Sequence, residues 1–562
     1  MQQIIECVPN FSEGIDTQLI RQITDAIEAI EGVRLLNVDP GKATNRTVVT
    51  FVGSPEAVVE AAFQSIKTAG QLIDMSRHKG EHPRMGATDV CPLIPVSGIT
   101  MEETADWACK LGERVGNELG LPVYLYEAAQ PDTRRNNLSV IRSGEYEGFF
   151  EKIKLQEWKP DYGPTEMDIK RGATVIGARD FLVAYNVNLN TKSVRKANSI
   201  AFDLREAGRV KREGDPITGK IVTDENGKAV SIPGSLRFVK AIGWYIEEYG
   251  IAQISMNLTN IQVTPVHIAF DEACKKAADR GIRVTGSELV GLIPLKAILD
   301  AGKYFLRKQK RSAGVSEKEL IEMAIQSMGL DELGPFNPEE KIIEYLLMKK
   351  SDARLVDMSL RAFADETASE SPAPGGGSVA AYAGSLGAAL AVMVANLSAG
   401  KKGWEDRWEE FSVWAEKGEG YKSELLKLVD LDTRAFQGVM AAFGLAKSSP
   451  EEKQVRAAAI QEATKAAIEV PFRVMELCFE CMEIIKVMAE TGNPNSASDS
   501  GVAALCARSA VRGAFLNVRI NSASLSNKNI AIDIINKGKM IEEKASAMEA
   551  EVLRIVNEKL GQ

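Results

Sequence analysis

The chain has 562 residues, 45% of them hydrophobic and 26% charged, with a formal net charge of −9. At ~150 residues per domain it holds three or four domains, each long enough to bury a core. The acidic balance argues against a general nucleic-acid or membrane-surface binder, and seven scattered cysteines, an odd number, fit reduced thiols in a reducing compartment.

Met1-Gln2-Gln3-Ile4-Ile5-Glu6 has no basic segment followed by an apolar one, so a cytoplasmic protein is expected. In chain order, the pattern predicts a strand over 4–8, a loop over 9–14, a helix from about 16 to 30 and strands over 33–38 and 46–52. A helix over 55–73 follows, opened by Pro55 at a tolerated early position. Strands over 90–95 and 121–126 then flank a helix over 101–119. The alternation reads as an α/β layer structure. A second unit repeats the order: a strand over 181–189, a helix over 192–206, strands over 236–244 and 252–257, a helix over 265–280 and a strand over 287–293. Between them, 211–235 carries Asp224-Glu225-Asn226-Gly227 and reads as a surface hairpin. Two such subdomains facing one another would leave a cleft suited to a ligand.

Composition changes after Gly329. Residues 330–352 read as a connector with one helix. Nearly everything beyond is helix: 355–368, 379–399, 404–446, 451–490, 500–520 and 528–560, an antiparallel bundle. The run from Ser378 to Gly400 has no charged residue but is mostly Ala, Gly and Ser, which suits a closely packed bundle helix better than a membrane span. Cys478 and Cys481 form a lone C-x-x-C inside a helix and read as core packing.

Two of the three histidines fall in Arg77-His78-Lys79-Gly80-Glu81-His82-Pro83-Arg84-Met85-Gly86-Ala87-Thr88-Asp89. Concentrated imidazole on a glycine-rich loop invites proton-transfer chemistry. The H-x-x-E-H spacing also matches a zinc peptidase signature. That site needs both imidazoles on one face of a helix, whereas Gly80 weakens a helix here and Pro83 disfavours helical backbone at His82. No metal is expected. Gly375-Gly376-Gly377 before a helix reads two ways, as a cradle of backbone N–H groups or as a tight connection. Leu425, Val429, Phe436, Val439 and Phe443 form an apolar stripe at helical spacing, with Asp432 inside it. Asp430 is rotated about 200° away, among polar neighbours. A carboxyl facing a core needs a partner or a task, so Asp432 is a candidate acid or base or one half of a buried ion pair.

These residues add up to a resemblance. Val8-Pro9-Asn10-Phe11-Ser12-Glu13-Gly14, Asn45-Arg46-Thr47, the His82–Asp89 loop and Gly172-Ala173-Thr174-Val175-Ile176-Gly177-Ala178-Arg179 resemble glutamate formimidoyltransferase. Ala373-Pro374-Gly375-Gly376-Gly377-Ser378, the Asp430–Phe436 segment, Gly492-Asn493 and Ser498-Asp499 resemble formimidoyltetrahydrofolate cyclodeaminase. Their order is that of the bifunctional formimidoyltransferase-cyclodeaminase family.

The resemblance implies two α/β (α+β sandwich) subdomains, 1–178 and 179–329, a linker over 330–352 and an all-α domain over 353–562. It implies transfer of the formimidoyl group of N-formimidoylglutamate to N5 of tetrahydrofolate, then closure to 5,10-methenyltetrahydrofolate with loss of ammonia, two steps of histidine degradation. It maps the family's catalytic histidine onto His82. Its folate segment falls on about Gly163–Gly172, including Pro164 and Thr165, and its deaminase aspartate falls in the Asp430–Asp432 pair. Asp39 is then expected to hold the formimidoyl nitrogen or orient the imidazole. Arg46 or Arg84 is expected to pair with substrate carboxylates. Asn10, Gly375, Gly376, Gly377 and Ser378 are expected to line the substrates, with Asn493 and Asp499 as further candidates. The co-substrate is tetrahydrofolate, polyglutamylated, with no nucleic acid or membrane partner and a homo-oligomeric assembly. The alternatives are a cyclohydrolase-like second half or a non-catalytic folate-binding scaffold.

Overall fold

The computed structural model describes residues 3–42, 44–80, 83–215, 218–347 and 354–561. The chain packs as two units, one of residues 1–301 and 324–348, the other of residues 302–323 and 349–562.

The first unit opens with β1 (Ile4–Cys7), β2 (Asn10–Phe11), α1 (Thr17–Glu28), β3 (Val33–Gly41), β4 (Arg46–Gly53) and α2 (Pro55–Leu72). It continues with β5 (Thr88–Ser97), α3 (Met101–Leu119), β6 (Val123–Glu127), α4 (Leu138–Ile141), α5 (Glu145–Lys152) and β7 (Thr174–Ala178). The helix starts follow local chemistry: Asp16 caps α1, Ser54 caps α2 ahead of Pro55, and Thr100 with Glu103 closes a capping box on α3. The strands form a seven-stranded mixed sheet in which β1 and β2 both lie between β4 and β5. Beyond β5, β7 and β6 add on in parallel. Period-2 alternation sends Ile5, Cys7, Phe11, Val49 and Phe51 to one face, where α1, α2 and α3 cover them with Ile23, Ile27, Val58, Phe63 and Leu111. Each large apolar side chain so buried is worth ~1.5–3 kcal/mol. On the other face α4 and α5 cover Tyr124, Tyr126 and Val175.

The repeat follows: β8 (Val183–Leu189), α6 (Val194–Leu204), β9 (Arg209–Val210), β10 (Ser231–Ile232), β11 (Val239–Ile246), β12 (Ile251–Leu258), α7 (Val266–Ala278) and β13 (Val284–Val290). Its four-stranded antiparallel sheet runs β11-β12-β8-β13. Setting β9 and β10 aside, the strands fall in the spatial order second-third-first-fourth. The first sheet has the same order over β3, β4, β1/β2 and β5, so the expected internal repeat is present. β9 and β10 pair as the base of the 211–235 hairpin, whose tip turns on Asp224 accepting from the N–H groups of Asn226 and Lys228.

Helices α8 (Leu295–Lys308) and α9 (Glu317–Met328) were not expected, and residues 302–323 within them group with the helical unit rather than with the α/β subdomain. The reason is specific bonding: Ser412 Oγ accepts from the Ala313 N–H, Asn396 Nδ2 donates to the Gly314 carbonyl, and Glu416 pairs with Lys303 and Arg307. The stretch expected as a connector carries α10 (Pro338–Lys341) and α11 (Ile343–Leu347), with Ile342 and Ile343 buried and Ile342 bridged to Ile293.

The second unit continues with α12 (Leu360–Thr367), α13 (Gly376–Ala399), α14 (Trp408–Gly444), α15 (Pro450–Thr491), α16 (Ala497–Ser522) and α17 (Lys528–Lys559). The uncharged run is α13, at the centre of the bundle. It is long and apolar enough to cross a membrane, but 61% of its most apolar window is buried in the bundle. Its small residues set the helix spacing: a β-carbon at Gly384 would lie 2.3 Å from Cys478 Sγ. Cys478 and Cys481 are both buried in α15, where burial pushes the Cys481 thiol up to about 12.

Candidate active sites

In the first unit the loop that follows His78 is held from both sides. Gly172 (φ +74) lies against Met85, the Ala173 N–H donates to the Met85 carbonyl at 3.0 Å, and the Ala87 N–H donates to the Arg171 carbonyl at 2.8 Å. A β-carbon at Gly172 would lie 2.3 Å from the Met85 oxygen, so this crossing requires glycine. Gly163, Pro164 and Thr165 are exposed on the segment that leads into it. The expected folate segment and the histidine loop are therefore neighbours at the Gly172 end. His82 lies outside the described residues.

His78 is half-buried and committed. Its Nε2–H donates to the Asn45 carbonyl at 2.8 Å, while the Arg84 Nε–H donates to its Nδ1 at 3.3 Å. With both ring nitrogens bonded to protein, the H-x-x-E-H reading lacks one of its two imidazoles. Asn45, at φ 45, also receives the Gly14 N–H and donates to the Lys79 carbonyl, so it docks this loop on the start of β4.

The two expected substrate arginines are bound internally. Arg84 makes a bidentate pair with Glu147 at 2.7 and 2.9 Å and reaches Glu145 at 3.2 Å. Arg46 donates twice to Asn10 Oδ1, at 2.9 and 2.7 Å, and pairs with the fully buried Asp89 at 3.0 Å. Burial pushes the Arg46 guanidinium down to about 10, with Asp89 opposing. Asn10 and Arg46 are thus bonded to each other and turned into the sheet. Asp89 also takes Arg142 at 2.5 Å and the Met85 N–H. Asp39 stands on β3, where its Oδ2 accepts from the Gly291 N–H at 3.0 Å and so joins the two sheets of the unit. On the polar face of the second sheet Asn186, Asn188, Gln253, Trp244, Tyr249 and Glu288 form one hydrogen-bond network. The sequence hid this network, because each polar residue alternates with apolar ones and resembles an ordinary strand.

In the second unit Gly375 is the N-cap of α13, and Gly377 and Ser378 form its first turn. Ser378 is fully buried; its hydroxyl lies 2.9 Å from the Val429 carbonyl, 3.1 Å from Asp432 Oδ2 and 3.3 Å from Thr433 Oγ1. A hydroxyl has one proton and spare lone pairs. When it donates to Val429, it can accept from a protonated Asp432. Burial raises the Asp432 carboxyl above the usual carboxylate range, against the lowering effect of its bonds to Ser378.

The apolar-stripe expectation needs correction. Leu425 and Val429 are buried, but Phe436 and Phe443 are 39% and 51% exposed. Asp430 is the more buried acid, at 9%, and its Oδ1 accepts from the Leu355 N–H at 2.7 Å. The two acids do face different ways, as helical geometry requires: Asp430 serves the 355 segment and Asp432 the start of α13. Asn493 and Asp499 do not join them within this chain. The Asn493 N–H donates to Ser398 Oγ at the far end of α13, and Asp499 opens α16. The twenty-residue step from Ser378 to Ser398 spans about 30 Å at 1.5 Å per residue. α16 runs back along α13, so Asn517, near its end, is the residue that lies beside Gly376.

Three regions match known families. Residues 4–179 match the N-terminal subdomain of the formiminotransferase domain, 184–348 the formiminotransferase domain, and 359–539 formiminotransferase-cyclodeaminase. The chain is 44% identical to formimidoyltransferase-cyclodeaminase of Mus musculus, over 94% of each chain. Glutamate formimidoyltransferase of Thermoplasma acidophilum is 40% identical over 58% of this chain and 97% of its own. Methenyltetrahydrofolate cyclohydrolase of Methylorubrum extorquens is 38% identical over 36% of this chain and 98% of its own.

Proposed function

Because the chain belongs to the formimidoyltransferase-cyclodeaminase family, we propose that it moves one carbon from N-formimidoylglutamate to 5,10-methenyltetrahydrofolate in two steps. The observation that carries this reading is the presence of both kinds of region, in order, in one chain.

In the first step N5 of tetrahydrofolate attacks the formimidoyl carbon. His82 takes the N5 proton and returns it to the leaving nitrogen of glutamate, a role suited to imidazole near neutral pH. Asp39 supports the formimidoyl nitrogen. In the second step N10 attacks the carbon of the protonated formimidoyl group (–CH=NH2+), which leaves a neutral –NH2 on that carbon; Asp432 gives its proton to this nitrogen, the C–N bond breaks and ammonia leaves. The N10 proton then restores the acid. The half-buried carboxyl beside Ser378, which burial raises above the usual carboxylate range, supports that assignment, since a raised carboxyl keeps its proton to higher pH than a free one. The positive end of α13 and the N–H groups of Gly376 and Gly377 favour electron-rich folate atoms next to it.

The transferase is assigned to 1–178 and 179–329, the deaminase to 353–562, and the join to 330–352. The same reading includes polyglutamylated tetrahydrofolate, histidine degradation, a cytoplasmic location and a homo-oligomer. Exposed apolar side chains on the adjacent helices α13 (Leu386, Met393, Leu397) and α16 (Val502, Leu505, Leu516) support the last. A second reading, favoured by the cyclohydrolase relative, gives the helical unit hydrolysis of the methenyl product. Incubation with N-formimidoylglutamate and tetrahydrofolate decides between them: glutamate, ammonia and methenyltetrahydrofolate are expected together, and glutamate without ammonia would reject deamination.

Gly377→Ala is a sharp test of the second site. The new β-carbon would lie 2.1 Å from Asp432 Oδ1, so the carboxyl must move. A misplacement of about 1 Å can cost roughly 10²-fold, and ammonia release is expected to fall by that order while glutamate release continues. Unchanged ammonia release, measured by a coupled assay, would show that Asp432 is not held there for catalysis.

A further inference from the structure

Two helices flank the first turn of α13. α14 comes from one side with Asp432, whose carboxyl a β-carbon at Gly377 would strike. α16 comes from the other, in an antiparallel register set by small residues. A β-carbon at Gly387 would lie 2.9 Å from the Ala503 carbonyl, one at Gly384 3.3 Å from Ala510, and one at Gly513 3.3 Å from Ala380. One turn further, the same register brings Asn517 to Gly376. A β-carbon there would lie 3.5 Å from Asn517 Nδ2 and 3.9 Å from its Oδ1. Gly376 and Gly377 are consecutive. The Asn517 amide and the Asp432 carboxyl therefore stand beside neighbouring residues of one helix end, about 100° apart around its axis.

The amide is also oriented. Its Nδ2 donates to the Gly513 carbonyl at 3.0 Å, which fixes which end of the group is nitrogen. Its Oδ1 accepts no bond from the described residues. Gly376 is exposed and Asn517 half-buried, so that oxygen faces a space a ligand can enter.

An acceptor is what this end of α13 otherwise lacks. The first-turn N–H groups are donors, Asp432 has to bring a proton, and the Ser378 hydroxyl is fully buried. The group to be expelled, –CH=NH2+, carries two N–H bonds that need acceptors once water is displaced.

We propose that Asn517 Oδ1 accepts an N–H of the formimidoyl nitrogen and holds that nitrogen within reach of Asp432. Asn517 thereby sets specificity for nitrogen over oxygen on the carbon that N10 attacks. The proposal rests on the deaminase reading above. Asn517 makes and breaks no covalent bond; the proton still comes from Asp432.

Ammonia release by the full chain from supplied 5-formimidoyltetrahydrofolate tests it. Asn517→Leu nearly keeps the size and removes the acceptor. Its kcat/KM is expected to fall ~10–100-fold, the scale of losing a hydrogen bond to a charged group, with glutamate release unchanged. 5-Formyltetrahydrofolate has oxygen in place of the leaving nitrogen and no N–H to offer. Its inhibition constant against deamination should therefore be the same in the Asn517→Leu form. Gly376→Ala leaves Asn517 in place and sets a methyl group against its amide. Deamination should fall there too, with no loss of thermal midpoint. Unchanged kcat/KM in either variant overturns the inference. So does a 5-formyl inhibitor that weakens in step with the substrate, because Asn517 would then serve the folate or the fold and not the leaving nitrogen. Absence of ammonia release by the unaltered protein would instead reject the deaminase reading itself.

Discussion

Asp432→Asn is expected to lower ammonia release by roughly 10²–10⁴-fold, the usual scale for losing a general acid or base. Glutamate release should continue at the unaltered rate, so 5-formimidoyltetrahydrofolate should accumulate. The substitution preserves size and can keep a bond to Ser378, which separates loss of the proton from loss of packing. The pH dependence has a definite sign. Burial raises the carboxyl, so the active acid form persists above the ordinary carboxylate range and is lost as pH rises through the raised value. Deamination by the unaltered protein should therefore fall on the alkaline side, and the residual rate of the Asn form should lack that limb. Asp430→Asn is the control. Its oxygen can still accept from the Leu355 N–H, so deamination should change little. A reversed ranking of the two aspartates would assign the chemistry to the buried face of α14.

His82→Ala should abolish glutamate release while supplied 5-formimidoyltetrahydrofolate is still deaminated. The comparison that gives this weight is His78→Ala. His78 donates to Asn45 and accepts from Arg84, so its loss removes two structural bonds at about 1 kcal/mol each. That change should lower the thermal midpoint of the first unit and reduce transfer modestly. His82→Ala should do the opposite, leaving stability intact and eliminating transfer. Equal loss of activity in two equally stable variants would remove the ground for choosing His82.

Helix and strand periodicity made most of the fold legible, because those signals are local. The repeat of two βαββαβ units could be read from element order alone. α8 and α9 were missed because their partners, such as Ser412 and Glu416, lie about a hundred positions away. The same separation hid the sites' internal bonds. Arg84 looks available for a substrate until Glu147 is seen against it, 63 residues on. On α14 the stripe holds as far as Val429 and then misleads, since Phe436 and Phe443 are exposed. The pattern that points to Asp432 is one the structure only half supports. What singles it out instead is Gly377, which leaves space for its carboxyl, and Ser378, which bonds it. The task of Asp430 could not be read from sequence, because its partner is a backbone amide 75 residues away.

The most direct measurement follows the formimidoyl group itself. N-formimidoylglutamate labelled with ¹³C and ¹⁵N in that group is supplied with unlabelled tetrahydrofolate to the full-length protein, and products are read by mass spectrometry and NMR. Transfer followed by deamination places all the ¹³C in the methenyl bridge and all the ¹⁵N in ammonia, in equal amounts, with one unlabelled glutamate released per turnover. ¹⁵N retained in a folate product, or ¹³C appearing as formate before any methenyl species, would contradict it.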